Sequence, residues 1–188
     1  MNRARVILTG LLLVLAGSAA LADVYDDTIQ LFRNAGQSSA FFKKSYAYAV
    51  FPTIGKAGLV VGGAYGDGKV YVGNRYVGDT TLTKLSIGFQ AGGQAYSQII
   101  FFQNKKAFDT FANRDFEFSA NASAVLITAG ATAEAGSTGA SATASATKRD
   151  ARTVGEYENG MAVFAIIKGG AMYEASLAGQ RYKFKRAK

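Results

Sequence analysis

Between Tyr46 and Phe102 the chain runs as short β-rich segments separated by glycine, and this stretch restricts the fold more than any other feature. Leu59–Tyr65, Lys69–Tyr76, Leu82–Ala91 and Ala95–Phe102 carry the β-branched and aromatic residues of strands bounded by turns. "YAYAVF", ending at Phe51, alternates small and large residues until Pro52 breaks it. In the third segment Leu85, Ile87, Phe89 and Ala91 share one face, while Ser86, Gly88, Gln90 and Gly92 share the other. A face of small residues predicts either very close packing or a bend in the sheet. Gln98–Phe102, "QIIFF", reads as fully buried, because exposed it would invite aggregation.

Helical signals flank this region. Over Asp23–Lys44 a stripe of Val24, Thr28, Leu31, Phe32 and Ala35, with Tyr25 and Ile29 beside it, opposes Asp26, Asp27, Gln30, Arg33 and Asn34. Gly36 is expected to end that helix, and "SSAFFKKS" reads as a second short turn or helix. Asn104 is placed to cap a further helix whose apolar stripe is Ala107, Phe108, Phe111 and Ala112. Met161–Ile167 and Ala171–Leu177 read as two more strands, joined by a turn at Gly169-Gly170. The fold class expected is α+β: a glycine-rich, strongly curved antiparallel sheet or small barrel with two to three packed helices.

Gly63–Val70, "GAYGDGKV", nearly spells a phosphate-binding loop. Such a loop needs a hydroxyl residue after the lysine and a helix whose N-terminal amides face the phosphates. Val70 stands at the hydroxyl position, and "VYVGNRYVG" alternates like a strand. A hairpin with Asp67-Gly68 as its two-residue turn is the expected structure. Gly55-Lys56 and Gly62-Gly63 are likewise assigned to architecture, not to a ligand.

Residues 1–22 have the anatomy of a cleaved secretory signal: Arg3 and Arg5, then the apolar run "VILTGLLLVLA", then a small-residue site ending at Ala22. That run is short for a bilayer crossing, which takes ~20 residues. Residues 23–188 are expected to form a single domain, with a low-complexity Ala/Ser/Thr-rich segment at 120–147, part of it strand and the rest a mobile loop. The chain has no cysteine, so it offers no disulfide, no thiol nucleophile and no lipid-modified cysteine. It has no histidine, which removes the commonest general base and metal ligand. Metal would have to be held by carboxylates such as Asp67 and Asp79, and no calcium-loop spacing accompanies them. Without histidine a serine triad is impossible, and a Ser-Lys dyad has no supporting motif. The composition therefore points to a non-enzymatic protein with no cofactor. Lys and Arg outnumber Asp and Glu by 21 to 13, which favours anionic partners.

Three blocks carry a family resemblance: "YAVFPTIGKAGLVVGGAYGDGKVY" (Tyr48–Tyr71), "SIGFQAGGQAYSQIIFFQNKKAFDTF" (Ser86–Phe111) and "KGGAMYEASLAGQRYKF" (Lys168–Phe184). In content and order they resemble the signature blocks of the SYLF domain. The resemblance implies a binding module. Eukaryotic members are associated with phosphoinositide membranes and actin, and their N-terminal amphipathic segment is implicated in lipid contact. Bacterial members are exported, and some are linked to phospholipid binding. The sequence departs from this pattern by lacking a lipoprotein cysteine and by its long Ala/Ser/Thr segment. A periplasm offers neither actin nor phosphoinositides, so what carries over is association with an anionic lipid surface.

The residues converge on the same expectation. Lys43 and Lys44 follow Phe41 and Phe42, and Arg181, Lys183, Lys185 and Arg186 surround Tyr182 and Phe184. Aromatic insertion with cations at head-group level is the expected mode of lipid attachment. Two alternatives assign Phe41 and Phe42 to the core and the C-terminal cluster to a solvated tail. The protein is thus expected to be exported, in the periplasm or peripherally on a membrane, with a possible protein partner in the cell envelope. A periplasmic protein- or polysaccharide-interaction module without lipid binding is the alternative function. Nucleic acid is excluded by export and by the lack of a continuous basic stripe. An outer-membrane barrel is disfavoured by the terminus "KFKRAK" and by scarce ten-residue alternation.

Overall fold

The computed structural model describes residues 24–58, 61–87, 94–113, 115–118, 124–127, 156–169, 177 and 179–188. The signal-peptide reading of 1–22, the turn at Gly169-Gly170, the strand over Ala171–Leu177 apart from its last residue, and nearly all of 120–147 lie outside these residues. A helix over 24–34 (α1) leads into two single turns, α2 (Gly36–Ser39) and α3 (Phe41–Lys44). Four long strands follow: β1 (Ala47–Gly58), β2 (Val61–Val72), β3 (Arg75–Ile87) and β4 (Gln94–Phe102). Then come α4 (Lys105–Ala112), β5 (Phe116–Glu117), β6 (Val125–Ile127), β7 (Met161–Gly169) and β8 (Gln180–Arg186). The class is α+β, as the sequence implies.

All eight strands form one sheet in the order β5-β8-β3-β2-β1-β4-β7-β6, antiparallel except for the β6–β7 pair. The sheet is curled into a half-barrel. Four strand spacings separate β4 from β8, ~19 Å in a flat sheet. Yet Nε2 of Gln98 on β4 lies 2.7 Å from the hydroxyl of Tyr182 on β8.

Glycine on the concave side of β2 permits this curl. A Cβ on Gly66 would stand 2.6 Å from Ile54, and one on Gly68 would stand 2.6 Å from the Phe51 ring. Both large β1 side chains therefore lean across a strip of bare backbone. The Asp67-Gly68 hairpin is thus corrected. Both residues lie mid-strand, paired with Thr81 and Thr80, and β2 runs unbroken where two segments were expected. The turn falls instead at Gly73-Asn74, where Gly73 takes φ 59°, a conformation that favours glycine. Pro52 also fails to end its strand. It sits where the β1 register shifts on both sides, a bulge that tolerates proline, and its carbonyl accepts the Ser97 hydroxyl at 2.6 Å.

Two apolar layers flank the sheet. The concave layer joins Phe51, Ile54, Leu82, Ile100, Phe102 and Tyr182 to Ala107, Phe108 and Phe111 of α4. Asn104 caps α4 as expected, accepting from the Ala107 amide at 3.0 Å. The convex layer joins Val50, Ile99, Phe101 and Phe164 to Ile29, Phe32 and Ala35 at the N-terminal end of the chain. The expected stripe of α1 is met at Thr28, Phe32 and Ala35, with Ile29 beside them, and not at its two outer members. Thr28, Ile29 and Phe32 are buried, while Val24 and Leu31 are exposed. α1 stops at residue 34, at the expected Gly36 boundary, and Gly36 itself opens α2. The "QIIFF" run is buried along its whole length.

Among the described residues the tightest backbone approach is at Gly78, where a Cβ would run into the Lys185 carbonyl and the Phe184 ring. Gly78→Ala is expected to lower stability by about 1–3 kcal/mol, the usual cost of overpacking, as read from urea unfolding.

Candidate functional site

β8 alternates by residue. Gln180 and Tyr182 face the concave side and are buried, and Phe184 follows them against Phe108, with ring centroids 5.8 Å apart. The pleat therefore turns Arg181, Lys183 and Lys185 to the convex side. Register places each of them in a row across three strands: Tyr65–Thr83–Arg181, Asp67–Thr81–Lys183 and Lys69–Asp79–Lys185.

Arg181 Nε lies 2.9 Å from Glu117, and Lys183 Nζ lies 3.9 Å from Asp115, yet these cationic side chains stay 70% and 75% exposed. Exposed pairs of this kind contribute only ~0–1 kcal/mol, so both cations remain able to exchange partners. Lys69 differs. Its ammonium sits 4.5 Å from the Tyr25 ring centroid and 5.7 Å from that of Tyr76, held within the surface. Arg186 has the opposite parity on β8 and lies toward α4, where its charge acts on Lys105.

The other sequence-singled group lies elsewhere. Phe41 and Phe42 are half-buried in the convex layer. Phe41 meets Phe101, Tyr157 and Phe164 with centroids 5.0–5.6 Å apart, and Phe42 meets Phe101 at 4.9 Å and Tyr48 at 5.3 Å. The Arg33 guanidinium covers Phe42 at 4.6 Å. Lys43 and Lys44 are exposed on α3. α3 packs over β1, β4 and β7, whereas β8 is three strands removed from β1, so the two basic groups do not form one cluster.

Inside the half-barrel lies a polar group that sequence reasoning missed. Gln98 Nε2 donates to the Tyr182 hydroxyl, which donates in turn to Gln180 Oε1. Gln180 Nε2 reaches the Tyr96 hydroxyl at 3.4 Å. All four residues are buried, and together they join β4 to β8 by side chains alone. Burial pushes the Tyr96 phenol up to about 12. Burial also raises Tyr182 well above the usual phenol range, against the lowering effect of Gln98. A cleft of about 350 Å³ opens beside α4, lined by Gln103, Asn104, Lys106, Thr110 and Asn159. Among the described residues no cluster of acidic side chains is able to hold a metal ion, and no helix is long and apolar enough to cross a membrane.

A family model described as Ysc84, Las17-binding protein actin regulator, matches residues 83–187. This span takes in β8, α4 and all four members of the buried polar group. The chain belongs to the Ysc84 (SYLF) family. Beta cell expansion factor A of Aeromonas veronii is 31% identical over 157 residues, 82% of this chain and 51% of that protein. This SYLF chain thus spans about half the length of that curated relative. SYLF is a family of binding domains and not a known enzyme family. The second and third signature blocks supply the polar group, with Tyr96 and Gln98 from one and Gln180 and Tyr182 from the other.

The raised phenols fix a pH dependence. In the unfolded chain both tyrosines lose their protons near pH 10, before they do so in the fold. The folded state then holds more protons, so stability is complete below pH 10 and falls as pH rises through about 12. Chemical unfolding across pH 8–12 is expected to show this decline, and Tyr96→Phe is expected to make it shallower. At neutral pH Tyr182→Phe leaves Gln98 with only its 3.4 Å contact to Gln180 and takes from Gln180 the Tyr182 donor, and it is expected to cost ~1–3 kcal/mol in the same assay.

Proposed function

We propose that this chain is a non-enzymatic, exported module that attaches to anionic phospholipid membranes from the outside. The observation that carries the reading is the row of three cations, Arg181, Lys183 and Lys185, aligned on one convex strand face. Near an anionic lipid surface each such cation contributes ~1 kcal/mol. Membership of a binding-domain family supports the reading, as does the lack of histidine and cysteine. Export rests on the signal-like anatomy of residues 1–22. Lys43 and Lys44 on α3 form a second, separate basic patch. The reading requires no cofactor, and its partner is the lipid surface itself.

Flotation with phosphatidylglycerol-containing vesicles at low salt tests it. The protein is expected to rise with anionic vesicles, to stay behind with purely phosphatidylcholine ones, and to be released as salt shortens the screening length. Replacing Arg181, Lys183 and Lys185 together with glutamine is expected to weaken binding by about a hundredfold. A wild type that ignores anionic vesicles at low salt refutes the reading and leaves protein or polysaccharide binding in its place.

A further inference from the structure

We propose that Leu85 is the point at which the convex face enters the apolar part of an anionic lipid layer, with Tyr65 beside it and Arg181 and Lys183 at the head groups. The proposal rests on the lipid reading above and names the part of the surface that would make the contact.

Leu85 is 74% exposed, more than any other large apolar side chain among the described residues. Its exposure has a cause in the register. On β2 its partner is Gly63, which has no side chain to cover it. On the other flank the β3–β8 ladder ends at the Lys84–Gln180 pair, and the chain turns at Gly179 with φ 72°. The nearest atom to a Cβ built on Gly179 is the Leu85 carbonyl oxygen, at 3.9 Å. Leu85 therefore stands between two glycines.

Its neighbours are those of a shallow lipid anchor. Thr83, two residues before it on the same face, pairs with Tyr65 on one side and Arg181 on the other. Tyr65 is 55% exposed, an apolar ring whose hydroxyl donates to Asp67 at 2.7 Å, so its tip stays in the polar layer of a membrane–water boundary. Lys183 lies one row further from Leu85 than Arg181. One apolar projection, an amphipathic ring and then the cations of β8, with Asp67 and Asp79 set back on β2 and β3, match an anionic amphiphile in order. An acidic soluble protein would engage the cations and leave Leu85 in water. Phe41 and Phe42 do not offer this contact, because both rings already pack on Phe101.

The lack of native cysteine allows a site-specific test. Leu85→Cys and Thr110→Cys, the latter exposed on α4 at the concave side, are each labelled with an environment-sensitive dye and mixed with phosphatidylglycerol vesicles carrying brominated acyl chains. The dye at 85 is expected to shift to the blue and to be quenched severalfold more than the dye at 110. Separately, unlabelled Leu85→Ser is expected to weaken vesicle binding about tenfold with an unchanged melting temperature, since Leu85 covers little of the protein. Equal quenching at both sites, or undiminished binding by Leu85→Ser, overturns this proposal while wild-type flotation leaves the lipid reading standing. A wild type that does not bind vesicles at all overturns both.

Discussion

Side chains from distant strands can meet in this molecule because β2 carries no side chain at Gly66 and Gly68. Ile54 and Phe51 occupy the space a Cβ would need there, and the sheet bends around them. The bend brings Tyr182 to within 5.7 Å of the Phe51 ring, measured between centroids, although β2 and β3 lie between their strands. α4 seals the same gap, since Phe111 touches Phe102 on β4 and Tyr182 on β8. Among the described residues the edge strands β5 and β6 do not pair with each other, and no backbone hydrogen bond between them closes the half-barrel. Among these residues the gap is bridged by rings and by the Gln98–Tyr182 contact.

What is buried on the concave side dictates what stands on the convex side. Because a strand has a period of two, sending Gln180, Tyr182 and Phe184 inward leaves Arg181, Lys183 and Lys185 no other direction. The helical N-terminal segment covers only part of the convex surface. Its apolar residues sit on Tyr48, Val50, Ile99, Phe101 and Phe164, which belong to β1, β4 and β7. Over β2 it reaches Lys69 through Tyr25, and Arg33 donates to Asn74 at 3.1 Å in the β2–β3 turn. β3 and β8 beyond that point keep a polar, charged face.

The sequence discloses elements better than register. The α4 cap, the burial of "QIIFF" and the bounds of β4 follow from local signals, because capping chemistry and an unbroken apolar run need no partner to be read. The break placed at Asp67-Gly68 fails for a long-range reason. Gly68 is small because the Phe51 ring of β1 lies over it, and that contact crosses strands, outside the few residues from which a turn is read. Pro52 misleads similarly, since a bulge looks like a strand end until the neighbouring strands are known. The alternation of "RYKFKR" was open to inspection, and it separates Arg181, Lys183 and Lys185 from Tyr182. The exposure of Leu85 was not legible, because it follows from the Gly63 pairing. The four-residue polar group was equally hidden, since glutamine and tyrosine on separate strands give no sign of meeting.

The strength of the proposed attachment follows from the small size of its parts. Moving one leucine side chain from water into lipid is worth ~2 kcal/mol, and three cations near an anionic surface add ~3 kcal/mol. The sum of ~5 kcal/mol corresponds to a partition constant on the order of 10³–10⁴, since 1.4 kcal/mol is a factor of ten. An attachment of that size is reversible and leaves the fold intact. Its electrostatic share is also its salt-sensitive share, so raising salt removes about two of those powers of ten. What remains is the single aliphatic contact, too weak alone to hold a domain on a bilayer. On this arithmetic neither component suffices alone, and binding would discriminate by head-group charge.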